Sequence, residues 1–324
     1  MAVMTMTSTM KKLEGLSVRD LLADQDLSHD DLKVIFDLAE RLKAKPGKYA
    51  HTLRGKQVAM IFEKPSLRTR TTFEVGITSL GGFAVYLEHT KPRLGEREAI
   101  KDIARNLDRW LHCIVARTFS HESVLELAAN ANIPVINALT DLYHPCQALA
   151  DYFTLHEKFG DVKGLKLTFV GDGNNVCHSL MILGARLGVS VRVATPPGYE
   201  PKPEMVHTAR GIAAETGAVI ETFHDPAQAL AGAQAVYTDV WTSMGQEHAA
   251  HLRNQVFAPY RVTKKLMDSA GPEAFFMHCL PAHRGQEVTD EVIDSPQSVV
   301  YDQAENRLHA QKALMILLMQ DGVN

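Results

Sequence analysis

The chain has 324 residues, of which 45% are hydrophobic and 22% charged, and its formal net charge is −4 at pH 7. This composition is typical of a globular protein and excludes a disordered chain or a collagen-like fibre, while the missing basic excess argues against a nucleic-acid partner. At about 100–200 residues per domain, the length predicts two domains.

The cysteines and the apolar runs bear on location. Cys113, Cys146, Cys177 and Cys279 form no C-x-x-C pair, and sparse, unpaired cysteines are typical of a reducing compartment. The N-terminus lacks the apolar core of a secretory signal, and no apolar run approaches the ~20 residues that span a bilayer. We therefore expect a cytoplasmic protein without a membrane partner.

Predicted helices and strands alternate along the first half of the chain. Apolar residues at helical spacing, with Ser28 as the N-cap, predict a first helix over 28–44. Strands are then predicted at 57–62, 83–87, 112–116 and 133–137. Further helices are predicted at 67–80, 98–109, 121–130 and 146–159.

The alternation restarts near residue 160. Strands are predicted at 166–170, 189–194, 218–222, 235–240, 274–278 and 299–301, with helices at 176–187 and 303–319 and in most of the remaining gaps. Such alternation is typical of parallel sheets with helices on both faces. We predict two α/β domains, residues 1–150 and 151–302, and assign the C-terminal helix 303–324 to the first.

Unusual polar segments follow the predicted strands in both halves. They are found at 63–70, 117–120, 137–147, 171–175, 239–245 and 278–283. Ligands of open parallel sheets bind beyond the carboxyl ends of the strands. A cleft between the two halves is therefore the predicted site.

The segment 64–70, KPSLRTR, joins a strand to a helix. Ser66 is placed to cap that helix, whose free N–H groups and dipole favour an anion, and Arg68 and Arg70 add guanidinium donors that suit phosphate oxygens. Lys64 is a further cation. A capped surface helix with solvated arginines explains the same residues equally well.

Two further loops carry hydrogen-bonding side chains. His144 and Gln147 in DLYHPCQ are suited to a small planar group, although a histidine at a helix start is more often structural; Pro145 fits a first helical turn. The loop GDGNN at 171–175 resembles a dinucleotide fingerprint, but Val176 stands at its third glycine position and the next strand ends without an acidic residue. We expect no nucleotide cofactor; the two amides suit a carboxylate.

The polar segments at 239–245 and 278–283 together contain an acid, a hydroxyl and a thiol. Asp239 is suited to a cationic amine and Ser243 to a carboxylate or amine, while Cys279 is either a buried small hydrophobe or a thiol or thiolate near a substrate amine. Arg307 in the final helix is a candidate third guanidinium for an anion site. The scattered histidines show no metal-ligand spacing, so no metal is expected.

Taken together, the motifs at 66–70, 144–147, 239–245 and 278–281 resemble those of the aspartate/ornithine carbamoyltransferase family, in order and approximate spacing. The resemblance extends from about Leu16 to Met319. It implies a carbamoyl-phosphate domain, an amino-acid domain, a homotrimer or a multiple of trimers, and no cofactor. It also implies transfer of the carbamoyl group to the δ-amine of L-ornithine, which gives L-citrulline and phosphate in arginine metabolism.

The resemblance also implies roles for individual residues. The carbamoyl-phosphate positions are Ser66, Leu67, Arg68, Thr69, Arg70, Arg93, Arg117, His144, Gln147 and Arg307. The ornithine positions are Asn175, Asp239, Ser243, Met244, Cys279 and Leu280. Of these, Arg117, His144, Cys279 and Asp239 are the implied catalytic residues, and a cis bond is implied at Leu280–Pro281.

Two departures from the family pattern keep alternatives open. Leu67 replaces the usual threonine, and Arg93, at a position that reaches the neighbouring subunit's site, replaces glutamine or histidine. The ornithine branch is favoured over the aspartate branch, because Asp239 would repel a second substrate carboxylate and the Pro-Leu-Pro-Arg pattern of the aspartate enzymes is missing. Another amine, such as putrescine or an acylated ornithine, and a non-catalytic family member remain the alternatives.

Overall fold

The computed structural model describes residues 15–242 and 249–320. A first parallel sheet has the strand order β2-β1-β3-β4. Its strands are β1 (Gln57–Phe62), β2 (Phe83–Glu88), β3 (Cys113–Arg117) and β4 (Val135–Leu139). All four lie within two residues of their predicted bounds.

Helices precede, connect and follow the strands of this sheet. They are α1 (His29–Ala44), α2 (Leu67–Ser79), α3 (Ile100–Trp110), α4 (His121–Ala129) and α5 (Pro145–Phe159). Ser28 caps α1 by accepting from the Asp31 N–H, as its position predicted, and the Asp31 carboxylate accepts in return from the Ser28 N–H.

A second parallel sheet has the strand order β7-β6-β5-β8-β9. Its strands are β5 (Lys166–Val170), β6 (Ser190–Ala194), β7 (Ile220–Phe223), β8 (Ala235–Thr238) and β9 (Phe275–His278). Both sheets are parallel throughout, which confirms the predicted fold class of two parallel-sheet α/β domains.

The helices around the second sheet include several short ones. They are α6 (Asn175–Leu187), α7 (Pro203–Thr216), α8 (Pro226–Leu230), α9 (Ala250–Phe257), α10 (Lys264–Asp268) and α11 (Asp290–Ile293). Within the described residues, no helix combines the length and the apolar character needed to cross a membrane.

The strand predicted at 299–301 is wrong. These residues lead into the last helix, α12 (Val300–Leu318), which begins three residues before its predicted start. Ser298 makes only an isolated parallel bridge to Phe276, and the Val299 N–H donates to the Phe276 carbonyl. A short apolar run does not by itself distinguish a strand from the start of a buried helix.

Helices α5, α6 and α12 join the two sheets through one continuous apolar core. Phe62 of the first sheet, Leu183 of α6 and Tyr237 of the second sheet belong to the same buried cluster, as does Leu314 of α12. Helix α12 packs against α1, α2 and α5 of the first half. The predicted division at 150/151 lies inside α5, so one rigid helix spans the junction.

Candidate active site

A cleft of about 790 Å³ lies where the carboxyl ends of the strands in both sheets meet. One wall is formed by the loop after β1 and the start of α2, which contribute Lys64 and Arg68. Arg307 of α12 belongs to the same wall. The loops after β8 and β9 contribute the other wall, with Asp239 and Cys279. The cleft therefore brings together the polar segments that follow strands in both halves.

Helix α2 begins at this cleft with a capped N-terminus. The Ser66 hydroxyl accepts from the Thr69 N–H at 3.2 Å, which confirms the predicted cap. A helix start leaves further N–H groups without intrahelical acceptors, and these are suited to anion oxygens. Arg68, half-buried on the first turn, lines the same space.

Arg307 reaches this helix start from the C-terminal helix. It is only 2% exposed, and its guanidinium donates to the Gln147 Oε1 at 2.5 Å and to the Thr69 hydroxyl at 3.1 Å. These contacts join α12, α5 and α2 at one point. Three sequence motifs thus converge here, more than 200 residues apart along the chain at their furthest.

Four cations, Lys64, Arg68, Arg117 and Arg307, lie on this side of the cleft, and burial is the largest cause that lowers the pKa of each. Burial first, and then the Arg117 charge, lower the pKa of Lys64 to about 8. Burial and the charges of Arg307 and Arg68 lower the pKa of Arg117 to about 10. Burial also lowers the pKa values of Arg68 and Arg307. A bound anion would relieve this mutual repulsion.

His144 is held at the start of α5 as a neutral imidazole. Burial, followed by the charges of Arg307 and Arg117, lowers the pKa of His144 well below its usual value. Its backbone N–H donates to the Ser179 hydroxyl at 2.8 Å, and Pro145 occupies the first helical position as predicted. The buried His144 Nδ1 and Arg117 Nε have no hydrogen-bond partner among the described residues.

The opposite wall is built around Asp239. Its Oδ2 accepts from the Asn174 amide at 2.8 Å, and its Oδ1 accepts from the Cys279 thiol at 3.0 Å. Burial and the Asp239 charge raise the pKa of Cys279 well above its usual value. The residue is therefore a thiol, and the alternative of a thiolate near the substrate is not supported.

The other predicted ornithine residues divide into three groups. Asn175 lines the cleft and donates to the Thr140 carbonyl at 2.6 Å. Leu280 also lines it, with a φ of 57° and the implied cis peptide bond to Pro281. Ser243 and Met244 lie outside the described residues.

Asp239, His278 and Cys279 place one potential metal-ligand atom each within 4.8 Å of one another. The histidine is already engaged on both sides. Its Nδ1 accepts from the Leu280 N–H at 2.8 Å, and its Nε2 faces the buried Glu287 carboxylate at 3.3 Å. Because a metal needs a free nitrogen lone pair, these contacts disfavour His278 as a ligand.

Two predicted phosphate contacts lie outside the cleft of this chain. The exposed Arg70 pairs with Glu74 at 3.3 Å, stacks over the Tyr86 ring and is not among the residues that line this cleft. Arg93 is exposed and stacks over Phe119. Leu67, 77% exposed, lines the cleft mouth and offers only its backbone to an anion.

Several residues around the site were missed by the sequence analysis. Ser179 holds the His144 backbone, and Asp151 and Gln303 form hydrogen bonds directly behind the cleft. Asp151 could have been found, because it follows Gln147 by four residues on the same face of one helix. Ser179 and Gln303 carry no local signal, since only the packing of α6 and α12 brings them here.

A group of cations and the Asp239 carboxylate line one cleft between two parallel sheets, so the chain has the architecture of a two-domain α/β protein whose cleft is suited to a small anion beside a small amine. Sequence profiles of the aspartate/ornithine carbamoyltransferases match both halves: the carbamoyl-P binding domain over residues 19–157 and the Asp/Orn binding domain over 163–318. The chain belongs to this family.

Individual relatives cover nearly the whole chain. The ornithine carbamoyltransferase of Thermococcus kodakarensis is 55% identical over 94% of this chain and 98% of its own length. The structure of ornithine carbamoyltransferase from Pyrococcus furiosus is 52% identical, with a TM-score of 0.92 over 96% of this chain and all of its own. The Giardia lamblia ornithine transcarbamoylase is similar at 36% identity, with a TM-score of 0.86 over 94% of this chain and 99% of its own.

Proposed function

We propose that the chain transfers the carbamoyl group of carbamoyl phosphate to the δ-amine of L-ornithine, giving L-citrulline and phosphate. The observation that carries this proposal is the placement of Arg68, Arg117 and Arg307 opposite Asp239 and Cys279 in one cleft. The first wall suits a dianionic phosphate and the second an amine-bearing substrate. The family's carbamoyl-P binding profile matches residues 19–157, which include Arg68 and Arg117, and its Asp/Orn binding profile matches residues 163–318, which include Asp239 and Cys279.

On the carbamoyl-phosphate side, the start of α2 and the guanidinium groups hold the leaving phosphate. Ser66, the N–H groups of Leu67 and Arg68, and the guanidinium groups of Arg68 and Arg307 serve this role. Thr69, Arg117, His144 and Gln147 surround the carbamoyl group. As charge grows on its oxygen, fixed donors stabilise it, an effect worth about 10²–10³ in rate per donor in oxyanion holes.

On the ornithine side, Asp239 and Asn175 hold the amino-acid end, together with Ser243 and Met244. Cys279 and the Leu280 carbonyl lie near the reacting amine. An alkyl amine has a pKa near 10, so the nucleophile is the minor, unprotonated form at pH 7. Its nitrogen forms a bond to the carbonyl carbon, the tetrahedral intermediate loses phosphate as the C–O bond breaks, and the surplus proton passes from the nitrogen to the departing phosphate. Much of the acceleration comes from holding both substrates in one cleft.

The assembly belongs to the same proposal. We infer a homotrimer or a multiple of trimers, in which Arg93 contacts the carbamoyl phosphate of a neighbouring subunit. The exposed position of Arg93, outside its own cleft, supports this role. A cytoplasmic location is supported by the four cysteines, all of which are free thiols. The predicted division into a carbamoyl-phosphate domain over 1–150 with helix 303–324, and an ornithine domain over 151–302, also remains a proposal.

The purified chain should form citrulline from carbamoyl phosphate and ornithine without added metal. A colorimetric citrulline assay, run beside aspartate, putrescine and N-acetylornithine, tests the choice of amine. Carbamoyl transfer to another amine of this panel but not to ornithine would refute the substrate assignment. No transfer to any of them by folded protein would favour a non-catalytic family member.

A further inference from the structure

Behind the cleft, one fully buried carboxylate accepts hydrogen bonds from three different elements. Asp151 of α5 has no exposed surface. Its Oδ1 accepts from the Gln147 and Gln303 amides, each at 2.8 Å, and its Oδ2 accepts from the Tyr237 hydroxyl at 3.0 Å. A buried carboxylate is costly unless it is hydrogen-bonded, and these three donors meet that need.

The first arm of this network orients the anion side of the cleft. Gln147 has one oxygen and one nitrogen at its amide, and the nitrogen donates to Asp151. Its oxygen is thereby directed to Arg307, which donates to it at 2.5 Å and donates to Thr69 with its other terminal nitrogen. The Asp151 carboxylate thus decides which end of the Gln147 amide meets the guanidinium.

The second arm orients the amine side by the same logic. The Gln303 amide nitrogen donates to Asp151, which directs the Gln303 amide oxygen to the His278 backbone N–H, from which it accepts at 2.9 Å. His278 directly precedes Cys279. The third donor, Tyr237, lies on β8 two residues before Asp239. Asp239 and Cys279, which are both assigned to ornithine, therefore follow residues that the Asp151 network holds in place.

We propose that Asp151 is a positioning residue that sets the placement of the carbamoyl-phosphate subsite relative to the ornithine subsite. This role rests on the proposed function, since it assumes that Arg307 and Gln147 serve one substrate while Asp239 and Cys279 serve the other. A plain structural role would require only that the carboxylate be satisfied. The fully buried Asp24, which accepts from the Ser179 hydroxyl, shows that the fold tolerates such a group with fewer donors.

The test measures KM for both substrates in variants of the full chain. Asp151→Leu should raise both KM values at least tenfold, because the Gln147 and Gln303 amides lose their common acceptor. Asp151→Asn keeps an acceptor oxygen for the two amides and should restore most of the affinity. Gln303→Leu breaks only the second arm, so it should raise the KM for ornithine and leave that for carbamoyl phosphate within twofold.

Thr154→Val is the matched control. Thr154 is also fully buried on α5, but its hydroxyl contacts the Ala150 carbonyl and the Asn306 amide rather than the cleft. This variant should lower the melting temperature and leave both KM values unchanged. If it moved them as far as Asp151→Leu does, the effect would be general loosening of the core and the positioning role would be wrong.

A double-mutant cycle adds a check that a purely structural role would not pass. If Asp151 acts on ornithine through Gln303, the effects of Asp151→Leu and Gln303→Leu on the ornithine KM should fall short of additive in the double variant. Additive effects would overturn the proposal. So would an unchanged ornithine KM in Gln303→Leu, which settles the matter even if Asp151→Leu fails to fold.

The assays distinguish failure of the proposed carbamoyl transfer from failure of the positioning role of Asp151. Folded wild-type protein without carbamoyl transfer would refute the proposed function and this role with it. Wild-type protein that forms citrulline, with an Asp151→Leu variant whose KM values match those of wild type, would refute the positioning role alone.

Discussion

Asp24 is a buried acid whose replacement should make the protein more stable at alkaline pH. Its Oδ2 accepts from the Ser179 hydroxyl, while its Oδ1 has no partner among the described residues. Burial is the largest cause that raises the pKa of Asp24 to about 7, from an unperturbed 3.8. In Asp24→Asn, an uncharged amide still offers an oxygen to Ser179 without the cost of burying a charge.

The size of the effect follows from that pKa. Because the folded-state pKa is raised, the folded protein binds more protons than the unfolded chain between about pH 4 and 7, and wild-type stability falls as pH rises through that window. A shift of about three pKa units at roughly 1.4 kcal/mol each corresponds to about 4 kcal/mol above pH 7. In the variant, a buried amide nitrogen without an acceptor would cost about 1–3 kcal/mol and so offset part of this gain.

Urea unfolding at pH 5, 6, 7 and 8 would measure the prediction. Between pH 5 and 8, the free energy of unfolding of Asp24→Asn should rise by roughly 2.5 kcal/mol relative to that of wild type. Any pH-independent cost of the amide is the same at every pH and therefore does not affect this change. Asp268→Asn, at an exposed position, is the control and should show no such trend. A difference between Asp24→Asn and wild type that stays constant across this range would refute the reasoning.

Three further predictions concern the cleft and the core. Arg68→Ala should weaken carbamoyl-phosphate binding roughly 10- to 150-fold by calorimetry with the fold intact, whereas the control Arg105→Ala, at an exposed position, should not. Equal affinities of Arg68→Ala and wild type for carbamoyl phosphate would contradict the anion site. Cys279→Ser should raise the ornithine KM roughly three- to tenfold, because a hydroxyl binds the Asp239 carboxylate more strongly than a thiol and competes with the substrate amine; an unchanged KM would argue against that contact. Gly184→Ala should cost about 1–3 kcal/mol in thermal unfolding, since the added Cβ would overlap the Tyr152 hydroxyl; retained stability would show that α5 and α6 can separate.

Neighbouring residues along the chain were enough to predict the local structure around the cleft. The strand at 57–62, the Ser66 cap and the helix start at Pro145 were each predicted from neighbouring residues, because capping, proline geometry and the period of apolar residues act over a single turn or strand. The two-domain parallel α/β class followed from the same patterns.

Local sequence patterns failed to predict the structure where the packing of distant segments determines it. Residues 299–301 are apolar enough for a strand, yet they lead into α12, whose buried side chains contact both halves of the molecule. Arg70 belongs to the same short motif as Arg68, but the helical rotation between them turns it to Glu74 and Tyr86 instead of the cleft.

The packing of distant segments determines which charged groups meet and in what protonation state. The sequence suggested Arg307 as a third guanidinium, but its contacts with Gln147 and Thr69 exist because α12 returns to the first sheet. The neutral state of His144, the thiol form of Cys279 and the three donors on Asp151 depend on burial and on charges from distant segments. Electrostatic and desolvation energies depend on distances in space, and no pattern of neighbouring residues along the chain records those distances.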